Sequence, residues 1–329
     1  MSDNAMLELA QMLKTLQKST ALFACIFGFV LAGPAWAADD LSPQQLLNAM
    51  TQAERQLNYQ LIFVQNDNGN NHALQYRYSL KDNKKYAQMT TMDGVKRDII
   101  QRDDMVSYFN PHIAPFTLKS QYIVDNLPPL LQADFDKLAK YYDFTALGRN
   151  RIADRMVQMV RIKPKDNFRY HYVVFIDEET HLLLRSDLLD QDGVLLDQFR
   201  VIQFATSETP LPFVENVEQL PFPPLISDKR KAGKTSNWKL SWLPQGFRQM
   251  NKTLTTDEEG NRIESRFYSD GLFTFEIFVS DGQQNEAQNG SLRHGATTIY
   301  SETMNNKEIT LIGQLPIGTA KRIVQDLKF

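Results

Sequence analysis

The spacing of apolar residues changes several times along the chain, and each change predicts an element. Ser42-Pro43-Gln44-Gln45 carries the residues of a helix start, with Ser as N-cap, Pro at the first helical position and Gln at N3. Leu46, Leu47, Met50 and Leu57 continue it as an apolar stripe. From Asn58 the period becomes two. Residues 58–65, 72–80, 85–92, 95–103 and 105–109 are short runs rich in aromatic and β-branched side chains, separated by Asp67-Asn68-Gly69, Lys81-Asp82-Asn83 and Asp93-Gly94. Those tripeptides and dipeptides have the chemistry of tight turns, so the pattern predicts an antiparallel meander.

A less regular stretch over 110–126 leads to residues 128–142, where Leu130, Leu131, Phe135, Leu138 and Tyr142 recur at helical spacing and predict a second helix. Strands are expected again at 144–147, 151–163, 169–176, 182–189 and 194–205, with Gln191-Asp192-Gly193 joining the last two. The total is about ten strands against two helices.

Residues 209–236 have a different texture, with Pro210, Pro212, Pro221, Pro223 and Pro224 followed by Asp228-Lys229-Arg230-Lys231 and Gly233. Proline lacks an amide donor, so the stretch reads as a semi-extended linker between a large domain at 38–208 and a small one at 237–329. In the small domain, a three-residue Ser269-Asp270-Gly271 loop would pair Phe267 with Phe273, Ser265 with Phe275 and Ile263 with Ile277, gathering apolar residues on one face. Gly271 then takes the left-handed position. Residues 281–291 read as a Gln/Asn-rich mobile loop, and strands near 297–303 and 308–315 precede a closing helix at 319–327.

Composition is that of an ordinary globular protein: 329 residues, 42% hydrophobic and 23% charged, with a net charge of −3. A chain built to neutralise nucleic-acid phosphates would be strongly basic, so that partner is excluded. Residues 20–31, TALFACIFGFVL, follow Lys14 and Lys18 and precede Ala35-Trp36-Ala37, which predicts a signal peptide at 1–37, with Met12 as an alternative start to Met1. Its removal takes away Cys25, the only cysteine, leaving a chain that folds by packing alone. The product is expected to be soluble and exported.

The sequence has no His-Glu-x-x-His, no Gly-x-Ser-x-Gly and no phosphate-cradling glycine loop, and nothing in it calls for a metal or cofactor. Asp187, Asp190, Asp192 and Asp197 flank one hairpin and read as turn charges. Binding chemistry has more support. Methionine and tyrosine on alternate strand positions make a pliable wall, so Tyr76, Tyr78, Met89, Met92, Met156 and Met159 are candidates for an amphiphile-binding cavity. Trp238, Trp242 and Phe247 are candidates for partner binding.

Several long strings carry a resemblance. MDGVKRDIIQRDDMVSYF (92–109), PFTLKSQYIVDNLPPLL (115–131), YYDFTALGRNRIADRMVQMVRI (141–162), DLLDQDGVLLDQFRVIQF (187–204), WLPQGF (242–247), IESRFYSDGLFTF (263–275) and LIGQLPIGTAKRI (311–323) are similar to the RseB/MucB family of sigma-E regulators. The resemblance implies an α+β fold, with a large LolA/LolB-like half-open antiparallel β-barrel and a smaller C-terminal α/β domain. It also implies a periplasmic location and a non-enzymatic function. The family binds the periplasmic domain of the anti-sigma factor RseA or MucA, protects it from the site-1 protease, and is released by lipopolysaccharide or lipoprotein acyl chains. A LolA-type periplasmic lipoprotein carrier is the alternative, and a homodimer is left open.

Overall fold

A computed structural model describes residues 41–67, 69–226, 238–256, 260–281 and 289–329. The signal segment at 1–37, residues 227–236 of the expected linker, residue 237 and most of the 281–291 loop lie outside the described residues.

Helix α1 (Pro43–Gln56) starts as its sequence predicts: the Ser42 hydroxyl accepts from the Gln45 amide, and the Gln45 side chain accepts from the Ser42 amide. Leu46, Leu47 and Met50 face inward. The chain then enters strands β1 (Asn58–Asp67), β2 (Asn70–Lys81), β3 (Lys84–Thr91), β4 (Asp98–Arg102), β5 (Met105–Asn110) and β6 (Ile113–Lys119). Strands β7 (Tyr142–Ile152), β8 (Arg155–Pro164), β9 (His171–Asp177), β10 (Leu183–Leu189) and β11 (Leu195–Ser207) complete one antiparallel sheet, ordered β6-β5-β4-β3-β2-β1-β11-β10-β9-β8-β7. Strands β6 and β7 remain unpaired with each other, so the sheet is half-open around α1, as expected.

Four expectations for this domain are corrected. Residues 151–163 form a hairpin and not one strand, because Ala153 and Asp154 adopt φ of 49° and 66° and close a two-residue turn. Two left-handed residues give the hand that matches strand twist, but neither is the Gly or Asn that would have announced it. The helix expected over 128–142 is a 3-10 turn (Pro129–Gln132) and a short α2 (Phe135–Leu138), separated by extended backbone at Ala133 and Asp134. Asp134 restarts the helix by accepting from the Lys137 amide at 3.1 Å. Strand β6 lies in the stretch read as irregular, where Pro115 is tolerated because the strand is at the sheet edge.

The fourth correction concerns the proline-rich stretch. Up to residue 226 it is docked on the large sheet and is not a semi-extended connection. Phe213, Val214 and Val217 of α3 (Phe213–Gln219) pack against Tyr86 and Ile100. Beyond α3, the Thr117 amide donates to Pro224 O at 2.9 Å and the Ile226 amide to Thr117 O at 2.8 Å, covering the β6 edge. Proline at 223 and 224 fits because only carbonyls are needed there.

The second domain contains β12 (Lys239–Leu240), β13 (Arg248–Thr256), β14 (Arg262–Ser269), β15 (Thr274–Asp281), β16 (Gly290–His294), β17 (Thr297–Met304), β18 (Lys307–Gly313), α4 (Ile317–Gln325) and β19 (Leu327–Lys328). Its six-stranded sheet has the order β13-β14-β15-β18-β17-β16, and β12 pairs with β19. Helix α4 buries Ala320, Ile323 and Val324.

The β14–β15 register differs from the expected one: Phe267 pairs with Glu276, Ser265 with Phe278 and Ile263 with Ser280. The loop is longer because Asp270 organises it, its Oδ1 accepting from the Leu272 and Phe273 amides at 2.8 Å each. Gly271 is left-handed at φ +99°, as expected. Phe273 leaves the sheet and stacks on Tyr172 of the large domain, centroids 5.7 Å apart and planes 13° apart. A contact between domains therefore outweighs the apolar pairing that the hairpin alone would choose.

Candidate functional site

The two domains share one apolar core and leave a cleft beside it. On the large-domain side, alternation places Gln65, Ser186, Leu188, Asp197 and Phe199 on the same face of β1, β10 and β11, with Phe199 opposite both Gln65 and Ser186. On the small-domain side, Phe267, Glu276 and Ile312 stand directly opposite one another across β14, β15 and β18. Ile299 continues that row opposite Ile312, and Leu292 opposite Ile299. Residues 122–132 form a third side through Tyr122, Val124 and Leu127. Together they bound a cavity of about 920 Å³.

This wall is apolar where a sheet face would ordinarily be covered. Met250 is 61% exposed, Val124 60% and Ile312 37%. Contiguous exposed apolar surface of this kind marks a binding site. The core between the domains holds the walls in place. The Tyr170 hydroxyl donates to Leu315 O at 2.9 Å, Arg169 Nη1 donates to Asp270 Oδ2 at 2.7 Å, and the Tyr142 hydroxyl donates to the same oxygen at 2.5 Å.

A smaller cavity of about 250 Å³ lies inside the large domain under α1, lined by Glu54, Tyr59, Tyr76, Tyr78, Gln101 and Leu131 among others. The Tyr59 hydroxyl donates to the Glu54 carboxyl, whose other oxygen accepts from the Leu183 amide at 3.3 Å. Burial outweighs these hydrogen bonds and raises the Glu54 pKa to about 7. The same burial, with the Glu54 charge next in size, pushes the Tyr76 hydroxyl far up.

The six residues expected to form one amphiphile cavity are not brought together. Tyr76 and Tyr78 line the 250 Å³ cavity. Met89 lines a separate one of about 150 Å³ with Leu74, Ile99 and Tyr108. Met92 is exposed just beyond β3, Met156 is exposed at the start of β8, and Met159 is half-buried beside Asn150. Strand alternation alone could not separate walls from turn ends.

The three aromatic residues considered for partner binding are largely occupied within the fold. Trp238 is 1% exposed, with the Arg266 guanidinium 3.5 Å from its ring centroid. Phe247 is buried against Phe275. Trp242 is half-buried between Phe168, which meets it edge-on at 4.8 Å, and Arg322 at 3.8 Å.

The expected turn role holds for Asp190, which accepts from the Asp192 and Val194 amides, while Asp187 pairs with Arg185 and Asp197 faces the cleft. Among the described residues no three acidic, histidine or cysteine side chains are grouped to hold a metal. No described helix is long and apolar enough to cross a membrane. Sequence reasoning missed the cleft residues Phe267, Glu276, Ile312, Phe199 and Tyr172. The available signal was the run of apolar residues left on an uncovered sheet face, and the misread hairpin register concealed it.

Both domains are similar to known proteins. Family models for the MucB/RseB N-terminal domain and the MucB/RseB C-terminal domain match residues 42–226 and 232–328. The sigma-E factor regulatory protein RseB of Haemophilus influenzae is 48% identical over 294 residues, covering 89% of this chain and 93% of that protein. RseB of Escherichia coli K12 is 41% identical over 287 residues, covering 86% and 90%. Among solved structures, the Pseudomonas aeruginosa MucA/MucB complex shares the fold at a TM-score of 0.70 and 22% identity, covering 87% of this chain and 98% of that one.

Proposed function

The chain belongs to the MucB/RseB family of regulatory proteins, and on that premise we propose that it restrains a sigma-E-type envelope stress response by holding an anti-sigma factor in its interdomain cleft. The partner is the periplasmic domain of an RseA/MucA-type protein, and the chain acts in the periplasm after loss of residues 1–37. The observation that carries this reading is the cleft itself. It is about 920 Å³ in volume, it is walled by an uncovered apolar sheet face, and both family domains contribute to it.

Proteases cut extended backbone, so a segment lying between the two domains is withheld from the site-1 protease. Release by lipopolysaccharide or a lipoprotein acyl chain requires that the amphiphile bind the partner-free form more tightly, with a coupling typically of about 1–3 kcal/mol. The cavities beside Tyr76, Tyr78 and Met89 are the places in the large domain where acyl chains would act.

The test is a binding titration of the mature chain with the periplasmic fragment of the anti-sigma factor from the same organism. It is repeated with lipopolysaccharide and with a diacylated peptide, while cleavage of the fragment by the site-1 protease is followed. Binding that blocks cleavage and weakens with amphiphile is the expected result. Absence of binding, with acyl ligand retained and passed to an acceptor, would replace this reading with that of a lipoprotein carrier.

A further inference from the structure

We propose that the cavity under α1 receives a phosphoethanolamine-type zwitterion, with its ammonium group beside Glu54 and its phosphate at the rim near Arg55 and Lys85. The inference is independent of the interdomain cleft. It rests on the proposed amphiphile site of the large domain only for the source of the ligand, and it specifies which part of such a molecule this cavity takes.

Sheet register builds the floor of the cavity. Tyr59, Tyr78, Ala87 and Gln101 stand opposite one another across β1, β2, β3 and β4, and Tyr76 lies two residues from Tyr78 on the same face. Helix α1 contributes two adjacent residues to the lining: Glu54 is 5% exposed, whereas Arg55 is open to solvent. Among the described residues no Lys, Arg or His pairs with Glu54. Its two carboxyl oxygens accept from the Tyr59 hydroxyl and the Leu183 amide, and each has capacity for a second donor. Gln101 supplies another acceptor. Its Nε2 donates to Asp103 O and Gln121 O at 2.8 Å each, which leaves Oε1 for an incoming donor. Around Glu54 the Tyr59 ring lies 5.9 Å from that of Tyr76 and 5.6 Å from that of Tyr78. A carboxylate, an amide oxygen and aromatic faces are the partners of an ammonium group, which brings three donors and a positive charge. A cation there also balances a carboxylate that burial otherwise leaves uncompensated.

The rim has the opposite sign. Arg55 and Lys85 both line the cavity, and neither is ion-paired among the described residues. Tyr78 registers both fields: burial is the main cause that pushes its hydroxyl up to about 12, with the Arg55 charge opposing and the Glu54 charge adding. A positive end and a negative end joined by a two-carbon link therefore meet complementary charge together, and a plain anion meets Glu54 unfavourably. Ile123, Leu127 and Leu131 make the remaining side apolar, where the tail of a lipid source would lie.

Calorimetric titration of the mature chain at about pH 8, where Glu54 with its pKa of about 7 is largely ionised, tests the assignment. The probes are O-phosphoethanolamine and lysophosphatidylethanolamine, with glycerol 3-phosphate and lysophosphatidylglycerol as partners that lack the ammonium group. Wild type is compared with Glu54→Gln and with Lys85→Gln at the rim, and melting temperatures establish that each variant is folded. The ethanolamine probes are expected to bind more than about tenfold more weakly to Glu54→Gln and about threefold more weakly to Lys85→Gln. They should raise the melting temperature of wild type and not that of Glu54→Gln. Binding of the free ester with this dependence on Glu54 identifies a soluble zwitterion as sufficient, and binding of the lysolipid alone identifies a lipid headgroup. Equal affinity for the ethanolamine and glycerol probes, or affinity unchanged in Glu54→Gln, would overturn the ammonium assignment and leave an amphiphile site in place. Failure of all four probes to bind wild type would overturn both.

Discussion

Arg169 Nη1 donates to Asp270 Oδ2 at 2.7 Å with both side chains buried, so the loop before β9 and the β14–β15 turn are joined by a charged hydrogen bond away from water. The bond fastens the large domain to the small one at the base of the cleft. Removing one member leaves the other charged and buried, so Arg169→Met should destabilise the protein by about 3–5 kcal/mol. Asp270→Asn should cost less, since its Oδ1 can go on accepting from the Leu272 and Phe273 amides. Urea midpoints of the two variants check the order.

Glu54 predicts a dependence of stability on pH. Its pKa rises on folding from 4.5 to about 7, so between those values the folded chain holds a proton that the unfolded chain has released. The folded state is accordingly favoured most at and below pH 4.5, and the advantage is lost as pH rises toward 7, by on the order of 3 kcal/mol in all. Glu54→Gln removes the titration. The variant is expected to match the wild type near the acid end and to exceed it in melting temperature at about pH 8.

Two glycines should respond differently to a side chain. At Gly271, φ is +99° and a Cβ would meet only Leu138 Cδ2 at 3.7 Å, so Gly271→Val bears the cost of left-handed backbone for a branched residue, about 1–2 kcal/mol. At Gly313 a Cβ would fall 2.6 Å from Phe275 Cα, on the neighbouring strand. Gly313→Ala must part β15 from β18, and a loss of at least about 3 kcal/mol is expected. Denaturant midpoints should show Gly313→Ala as the more damaging change.

Trp238 is expected to be a residue of stability. Arg266 covers its ring and donates from Nη1 to its carbonyl at 2.8 Å. Trp238→Ala should lower stability by about 3–5 kcal/mol. Trp238→Phe, which keeps the packing, should leave affinity for the anti-sigma fragment within about twofold of wild type. A large loss of affinity in a folded Trp238→Phe protein would return this residue to the binding surface.

Local chemistry made much of the fold legible. The Ser42 capping box, the meander after Asn58 and the left-handed Gly271 each depend on neighbours a few residues away, and each stands in the structure as the sequence implied. Failures occurred where a distant contact decided. Ala153-Asp154 lacks the Gly or Asn of such a turn yet turns, with Ile152 and Val157 on either side both drawn into the core. Phe213, Val214 and Val217 form a helix inside a proline-rich stretch because Tyr86 and Ile100 offer an apolar surface to cover. Phe273 was available for pairing within its hairpin and was taken by Tyr172 instead.

The sequence by itself determined the mostly antiparallel architecture, the helix that fills the large sheet and the family to which the chain belongs, since period, caps and long matching strings are properties of consecutive residues. Only the tertiary structure decided which apolar side chains are core and which are walls. The candidates Tyr76, Met89, Met156 and Trp238 have the same apolar character in sequence, but one lines the cavity under α1, one a separate small cavity beside Leu74 and Ile99, one is exposed to solvent and one lies beneath an arginine. Phe267, Glu276 and Ile312 form one wall of the cleft because the hairpin register sets them in one row and the docking of two domains leaves that row facing an open space. Exposure of a sheet face is a relation between surfaces distant in the chain, and no local pattern encodes it.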